Sequence, residues 1–128
     1  MRLLLDTHTF LWWVADAPEL SAKARTAIAQ PRNECFVSLA SCWEIAIKTS
    51  LGKLEISGTV ERLIPEQLAA NRFRELQVEV RHVARVARLR FHHRDPFDRL
   101  LAAQALEEGL TMVSADPVFR RYGVKRIW

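Results

Sequence analysis

Cysteine is scarce in this 128-residue chain, which has only Cys35 and Cys42. They are too far apart for a C-x-x-C pair and no third cysteine joins them, so zinc and redox readings give way to two buried free thiols. Long apolar runs are also missing. None approaches the roughly 18 to 20 residues of a membrane span, and the N-terminus enters a strand directly, without a charged leader or cleavage site. A cytoplasmic protein that does not engage a membrane is the expectation. Four glycines and five prolines are spread without any linker, repeat or low-complexity segment. With about half its residues hydrophobic, a chain of this length supports one domain with a real core, residues 1–128, and no second one.

A surplus of acid is absent as well: the formal net charge is +4. The excess is confined to the second half, since residues 1–64 hold seven basic and seven acidic groups and residues 65–128 hold twelve and eight. Arg81, Arg85 and Arg88 recur on one face of a predicted helix, and Arg90, Arg94 and Arg99 follow around the next helix start. Such a stripe is either a solvated face or a track for a phosphate backbone. Beside an acidic site the second reading gains weight, because a polyanion approaching carboxylates needs cationic guidance.

Hydrophobic pattern and punctuation predict an α/β order. Leu3–Leu5 reads as a buried strand and 9–14 as a short helix. Ser21 caps a helix over 22–29, 35–37 is a strand, and 40–49 is a helix stopped near Gly52. A helix over 58–71 is expected to restart at Pro65, and 73–78 to form a strand. Residues 80–89 form a helix with Val83, Val86 and Ala87 inward. Pro96–Glu108 is a helix ended by Gly109, followed by strands at 111–114 and 124–128. Strands separated by helices imply a three-layer α/β domain with a central parallel sheet.

On that order, Asp6, Glu44, Asp98 and Asp116 converge. Asp6 and Asp116 end apolar runs, at the sheet edge where open α/β folds bind ligands. Acids gathered there repel one another and raise one another's pKa, and a divalent cation removes that cost. Hard oxygen donors favour Mg²⁺ or Mn²⁺. Two of the acids have a competing structural job. Asp6 stands where an N-cap belongs, although Thr7 and Thr9 are alternatives. Glu44 closes the capping box Ser41-Cys42-Trp43-Glu44 unless Ser38 caps first, in which case it lies in the second turn, free to project past the strands. In Asp95-Pro96-Phe97-Asp98, proline at the first helical position makes Asp95 the cap and leaves Asp98 as the ligand. Asp95 then adds negative potential from behind, with Ser114 and Thr7 as further supports of the carboxylates. His92 and His93 lack chelate spacing and read as surface or phosphate-contacting residues. Trp12, Trp13, Trp43 and Trp128 read as core or interface residues, and the Trp12–Trp13 pair suggests a subunit or partner contact.

The segments Leu3-Leu4-Leu5-Asp6-Thr7-His8-Thr9, Trp43-Glu44-Ile45, His93 through Ala105 and Ser114-Ala115-Asp116, taken in this order, resemble the PIN-domain ribonucleases, specifically the VapC toxins of toxin–antitoxin pairs. The resemblance implies that Asp6, Glu44, Asp98 and Asp116 hold Mg²⁺ or Mn²⁺ and that the protein cuts RNA. It also implies strand order 3-2-1-4-5, a homodimer able to enter a larger toxin–antitoxin assembly, and a co-expressed antitoxin that blocks the site. Metal-assisted in-line attack by water would leave 5′-phosphate and 3′-hydroxyl ends. Arg81, Arg85, Arg88, Arg94 and Arg99 are the expected RNA contacts. Two other classes are weighed against this. A haloacid-dehalogenase-type phosphatase needs a second Asp two residues after Asp6, where this chain has His8. A non-catalytic module using its acids to bind a basic peptide would show no metal-dependent turnover.

Overall fold

The computed structural model describes residues 1–128, and its centre is β1 (Arg2–Leu5), whose last three residues are fully buried. The chain continues through α1 (Thr7–Val14), α2 (Ala22–Ala29), β2 (Glu34–Ser38), α3 (Leu39–Ser50), α4 (Val60–Asn71), β3 (Arg74–Leu76) and α5 (Val80–Arg88). It ends with α6 (Pro96–Glu108), β4 (Thr111–Val113), α7 (Val118–Arg121) and β5 (Arg126–Ile127). Five parallel strands stand in the order β3-β2-β1-β4-β5, the order implied by the resemblance. A parallel sheet must be covered on both faces, and strand alternation divides the side chains between two cores. Leu3, Leu5, Cys35, Val37 and Val113 join Phe10, Ile28, Ile45 and Ile64 on one face. Leu4, Phe36 and Met112 join Leu101, Ala102, Ala105 and Phe119 on the other. Each fully buried leucine contributes roughly 1.5–3 kcal/mol relative to exposure. No helix is long and apolar enough to cross a membrane. Both cysteines are free and buried, with thiol pKa values pushed up to about 11 by desolvation, so neither is a ready nucleophile.

Four expectations need correction. Helix α4 runs through Pro65 without a restart. The amide hydrogen that Pro65 lacks would serve the carbonyl of Glu61, an exposed residue that water can satisfy. In α5 the inward residue is His82, fully buried, while Val83 is 55 % exposed and Ala87 also faces out. Polar contacts override the valine pattern there: His82 Nδ1 accepts from the Glu79 amide at 3.0 Å, and Nε2 lies 3.1 Å from Glu108 of α6. A one-turn helix, α7, follows Pro117 where only a turn was expected. Strand β5 is shorter than 124–128, and β3 shorter than 73–78, because only the paired residues count. Gly109 ends α6 at φ 65°, a left-handed conformation that glycine adopts without steric cost.

Candidate active site

All four acids line one small cavity, of about 140 Å³, at the carboxyl ends of β1 and β4, together with His8, Trp12, Asp95 and Ala115. Each arrives from a different element. Leu5 pairs with Val113, and the Asp6 amide donates to the Val113 carbonyl, so the chain leaves β1 beside the end of β4. Asp6 sits at the N-cap position of α1, yet its side chain makes no cap bond. Its carboxylate instead accepts from Ser114 Oγ at 2.6 Å, and Ser114 Oγ in turn accepts from the Asp116 amide at 3.0 Å. One serine thus sets the position of two acids.

Ser38 caps α3 through the Ala40 amide, which places Glu44 in the second turn, clear of capping duty. Glu44 is 3 % exposed. Thr7 Oγ1 donates to its Oε1 at 2.7 Å and lies 2.9 Å from Ser41 Oγ, while Lys48 Nζ reaches Oε2 at 2.6 Å. Asp95 caps α6 by accepting from the Phe97 and Asp98 amides, so Asp98 is left in the first turn with its side chain free for the cavity. Thr7 and Ser114 thus bond carboxylates of the cavity, while Asp95 bonds the backbone amides that start α6.

Electrostatics make the cluster short of positive charge. Burial raises the pKa of Asp6, against the lowering effect of Ser114 and of His8. Asp98 is pushed up to about 8, first by burial and then by the charges of Asp6, Asp95, Glu44 and Asp116. Lys48 is held above its usual value by its bond to Glu44. Buried carboxylates that raise one another's pKa are a donor set a hard divalent ion fits, since the ion supplies the missing charge through oxygen ligands.

Three participants escaped the sequence reading. His93, read as a surface or phosphate-contacting residue, turns its Nε2 to 3.4 Å from Asp98 and 3.7 Å from Asp116, and these three residues offer ligand atoms within 4.8 Å of one another. Adjacent histidines conceal this, because only the fold of the loop decides which one faces the acids. Lys48, four residues after Glu44, was legible as an i, i+4 pair. His8 lines the cavity but carried no spacing signal. Trp12 also lines it, stacked near Trp128, and the Trp13 indole donates to Asn71, so both pack within the chain. Trp43, by contrast, is 61 % exposed and meets Phe97 edge-on.

The arginines divide. Arg81 pairs with Glu79 and Glu108, Arg85 lies 2.9 Å from Glu107, and Arg88 lies 3.7 Å from the same carboxylate, all at the end of α6 opposite Asp98. Arg99 is buried, not on the surface: its guanidinium donates to the carbonyls of Arg90 and Val86 and lies under the Phe91 ring. It fixes the loop before α6 and is closed off from a phosphate track. Arg94 is exposed and makes no ion pair.

With the geometry in place, comparisons bear on it. A model of the family described as PIN domain matches residues 3–125. Ribonuclease VapC22 of Mycobacterium tuberculosis (strain ATCC 25618 / H37Rv) is 29 % identical over 120 residues, 94 % of this chain and 91 % of the relative. Among solved structures, VapBC2 of Rickettsia felis bound to a promoter DNA fragment superposes with a TM-score of 0.71 at 17 % identity, covering 98 % of this chain and 97 % of that one. VapBC-1 of nontypeable Haemophilus influenzae gives 0.67 at 17 % identity, covering 98 % and 96 %. The likeness to these two structures concerns the fold.

Proposed function

The chain belongs to the PIN-domain family, and from that premise we propose that it is a metal-dependent endoribonuclease of the VapC kind, the toxin of a toxin–antitoxin pair. The observation that carries the reading is the convergence of Asp6, Glu44, Asp98 and Asp116 on one cavity, where burial and the neighbouring acids push the pKa of Asp98 up to about 8. Supporting it are the ribonuclease named among the relatives and the toxin–antitoxin complexes among the structural neighbours.

Asp6, Asp98 and Asp116 would hold Mg²⁺ or Mn²⁺, with Glu44 completing the set. The ion would supply an activated water and charge stabilisation on the scissile phosphate. Ser114 holds Asp6 in place and Thr7 holds Glu44, so the carboxylates need little reorganisation on binding. Lys48 offsets the charge of Glu44, and His93 Nε2 lies 3.4 Å from Asp98. Arg94, exposed beside Asp95, would meet a phosphate next to the cut. A cognate antitoxin would silence the site, and a homodimer is the expected assembly.

Purified protein incubated with total RNA and Mg²⁺, Mn²⁺ or EDTA tests this. Cleavage should require the metal and leave 5′-phosphate and 3′-hydroxyl ends. Cutting that persists in EDTA, or 2′,3′-cyclic phosphate ends, would overturn the mechanism.

A further inference from the structure

A second cavity is several times larger than the acidic one. It measures about 560 Å³, lies on the α6 face of the sheet, and is walled by Arg85, Arg88, Arg90, Arg121, His92 and Tyr122. Leu89, Leu106 and Gly123 complete the lining, so four of its nine residues are arginines and a fifth is a histidine. Only Arg85 and Arg88 have carboxylate partners, both on Glu107, and Arg88 keeps 70 % of its side chain exposed. Arg90 and Arg121 are exposed and make no ion pair. Four guanidinium groups around one concavity form an anion site, and their planar donor forks match phosphate oxygens in particular.

Two chain segments join this cavity to the acids. In the loop before α6, Arg90 and His92 line the basic cavity while the next residue, His93, faces Asp98 and Asp116. Across from it, Asp116 lines the acidic cavity, accepts from the Val118 amide to start α7, and so leads to Arg121 in the basic one. Arg99, directly after Asp98, holds the loop by bonding the carbonyls of Arg90 and Val86. Both connections are short and braced. A strand whose scissile phosphate sits at the acids would leave the site past the loop that carries Arg90 and His92.

We infer that this arginine-lined cavity binds the phosphate backbone of single-stranded RNA flanking the cut, and that it steers the substrate past the repelling carboxylates. The inference rests on the ribonuclease reading for the identity of the strand. RNA is favoured over an acidic protein segment because the cavity adjoins, through the consecutive residues His92 and His93, a site whose proposed chemistry addresses a phosphodiester.

The test measures binding of a fluorescein-labelled single-stranded RNA in EDTA, where nothing is cut, against salt concentration. The variant Arg88→Gln/Arg90→Gln/Arg121→Gln removes three surface cations whose side chains make no internal hydrogen bond, so folding should survive, as circular dichroism would verify. Its control, Arg32→Gln/Lys53→Gln/Arg62→Gln, removes the same charge from exposed positions away from the cavity. Affinity should fall at least tenfold in the first variant, and its salt slope by about 0.7 for each lost contact, with the control near wild type. Equal losses in both variants would reduce the effect to net charge and overturn the inference. Displacement of the RNA by polyglutamate as readily as by unlabelled RNA of the same charge would overturn it in favour of an acidic protein partner. Failure of the ribonuclease reading looks different: wild-type protein then binds the RNA with the arginine-dependent slope but leaves it uncut in Mg²⁺.

Discussion

Carboxylates at the two ends of helix α6 are treated in opposite ways. At its N-terminal end Asp98 shares a cavity with four other acids, and its pKa climbs to about 8. At its C-terminal end Glu107 and Glu108 meet Arg85 and Arg81 and fall below the usual glutamate range. The same chemical group is thus starved of countercharge at one end and saturated with it at the other. Paired acids fasten α5 to α6; unpaired acids keep their affinity for something that has yet to arrive. On the proposed reading, protein stability and metal affinity are drawn from separate carboxylates.

The contrast breaks most visibly if one unpaired acid is neutralised. Asp98→Asn preserves the first-turn geometry and should cut RNA cleavage by more than about a hundredfold while the metal-free protein stays folded, as cleavage assays and circular dichroism would record. Undiminished cleavage would remove Asp98 from the site.

Titration sharpens the same comparison. A carboxyl whose folded pKa lies above its unfolded value of 3.8 keeps its proton longer in the folded protein. Its contribution to stability is therefore complete below pH 3.8 and is lost as pH rises to about 8. Urea denaturation in EDTA should show this decline for wild type and a shallower one for Asp98→Asn. In Mn²⁺ at a hundredfold excess over Kd, wild type should gain about 2.7 kcal/mol, and Asp98→Asn most of nothing.

At the paired end the effects shrink and change kind. Glu108→Gln weakens its ion pair with Arg81 and its contact with buried His82, and should lower stability by about 1 kcal/mol without moving the Mn²⁺ affinity read by calorimetry. The smallest effect belongs to Asp95→Asn. Asparagine caps a helix nearly as well as aspartate, so stability should stay within about 0.5 kcal/mol and cleavage should remain measurable. Loss of metal by Asp95→Asn but not by Asp98→Asn would reverse the assignment of the two acids.

Why one end was legible in the sequence and the other was not follows from how each is built. The acids ride on local signals: apolar runs ending at Asp6 and Asp116, Ser38 as the earlier cap, and proline separating Asp95 from Asp98. Caps and strand ends are decided within a few residues, so they survive folding unchanged. The arginines depend on tertiary partners. Nothing local told that Glu107 and Glu108 would meet Arg81 and Arg85, or that Arg99 would turn inward to two carbonyls. Helix α5 misled for the same reason, since its valines scored as core while buried His82 found polar partners in α6. His93 was hidden by its neighbour, because either histidine of the pair fits the sequence equally well.

Trp12 has one further consequence. Its indole forms part of the wall around the four carboxylates, 5.7 Å between ring centres from His8 on one side and from Trp128 on the other. A cation entering that space alters the electric field across the ring, and indole emission responds to such fields. The protein therefore carries its own optical reporter: titrating Mn²⁺ or Mg²⁺ should change tryptophan fluorescence without any label, and Trp12→Phe should silence most of that signal while Trp43, out on the surface, goes on emitting unchanged.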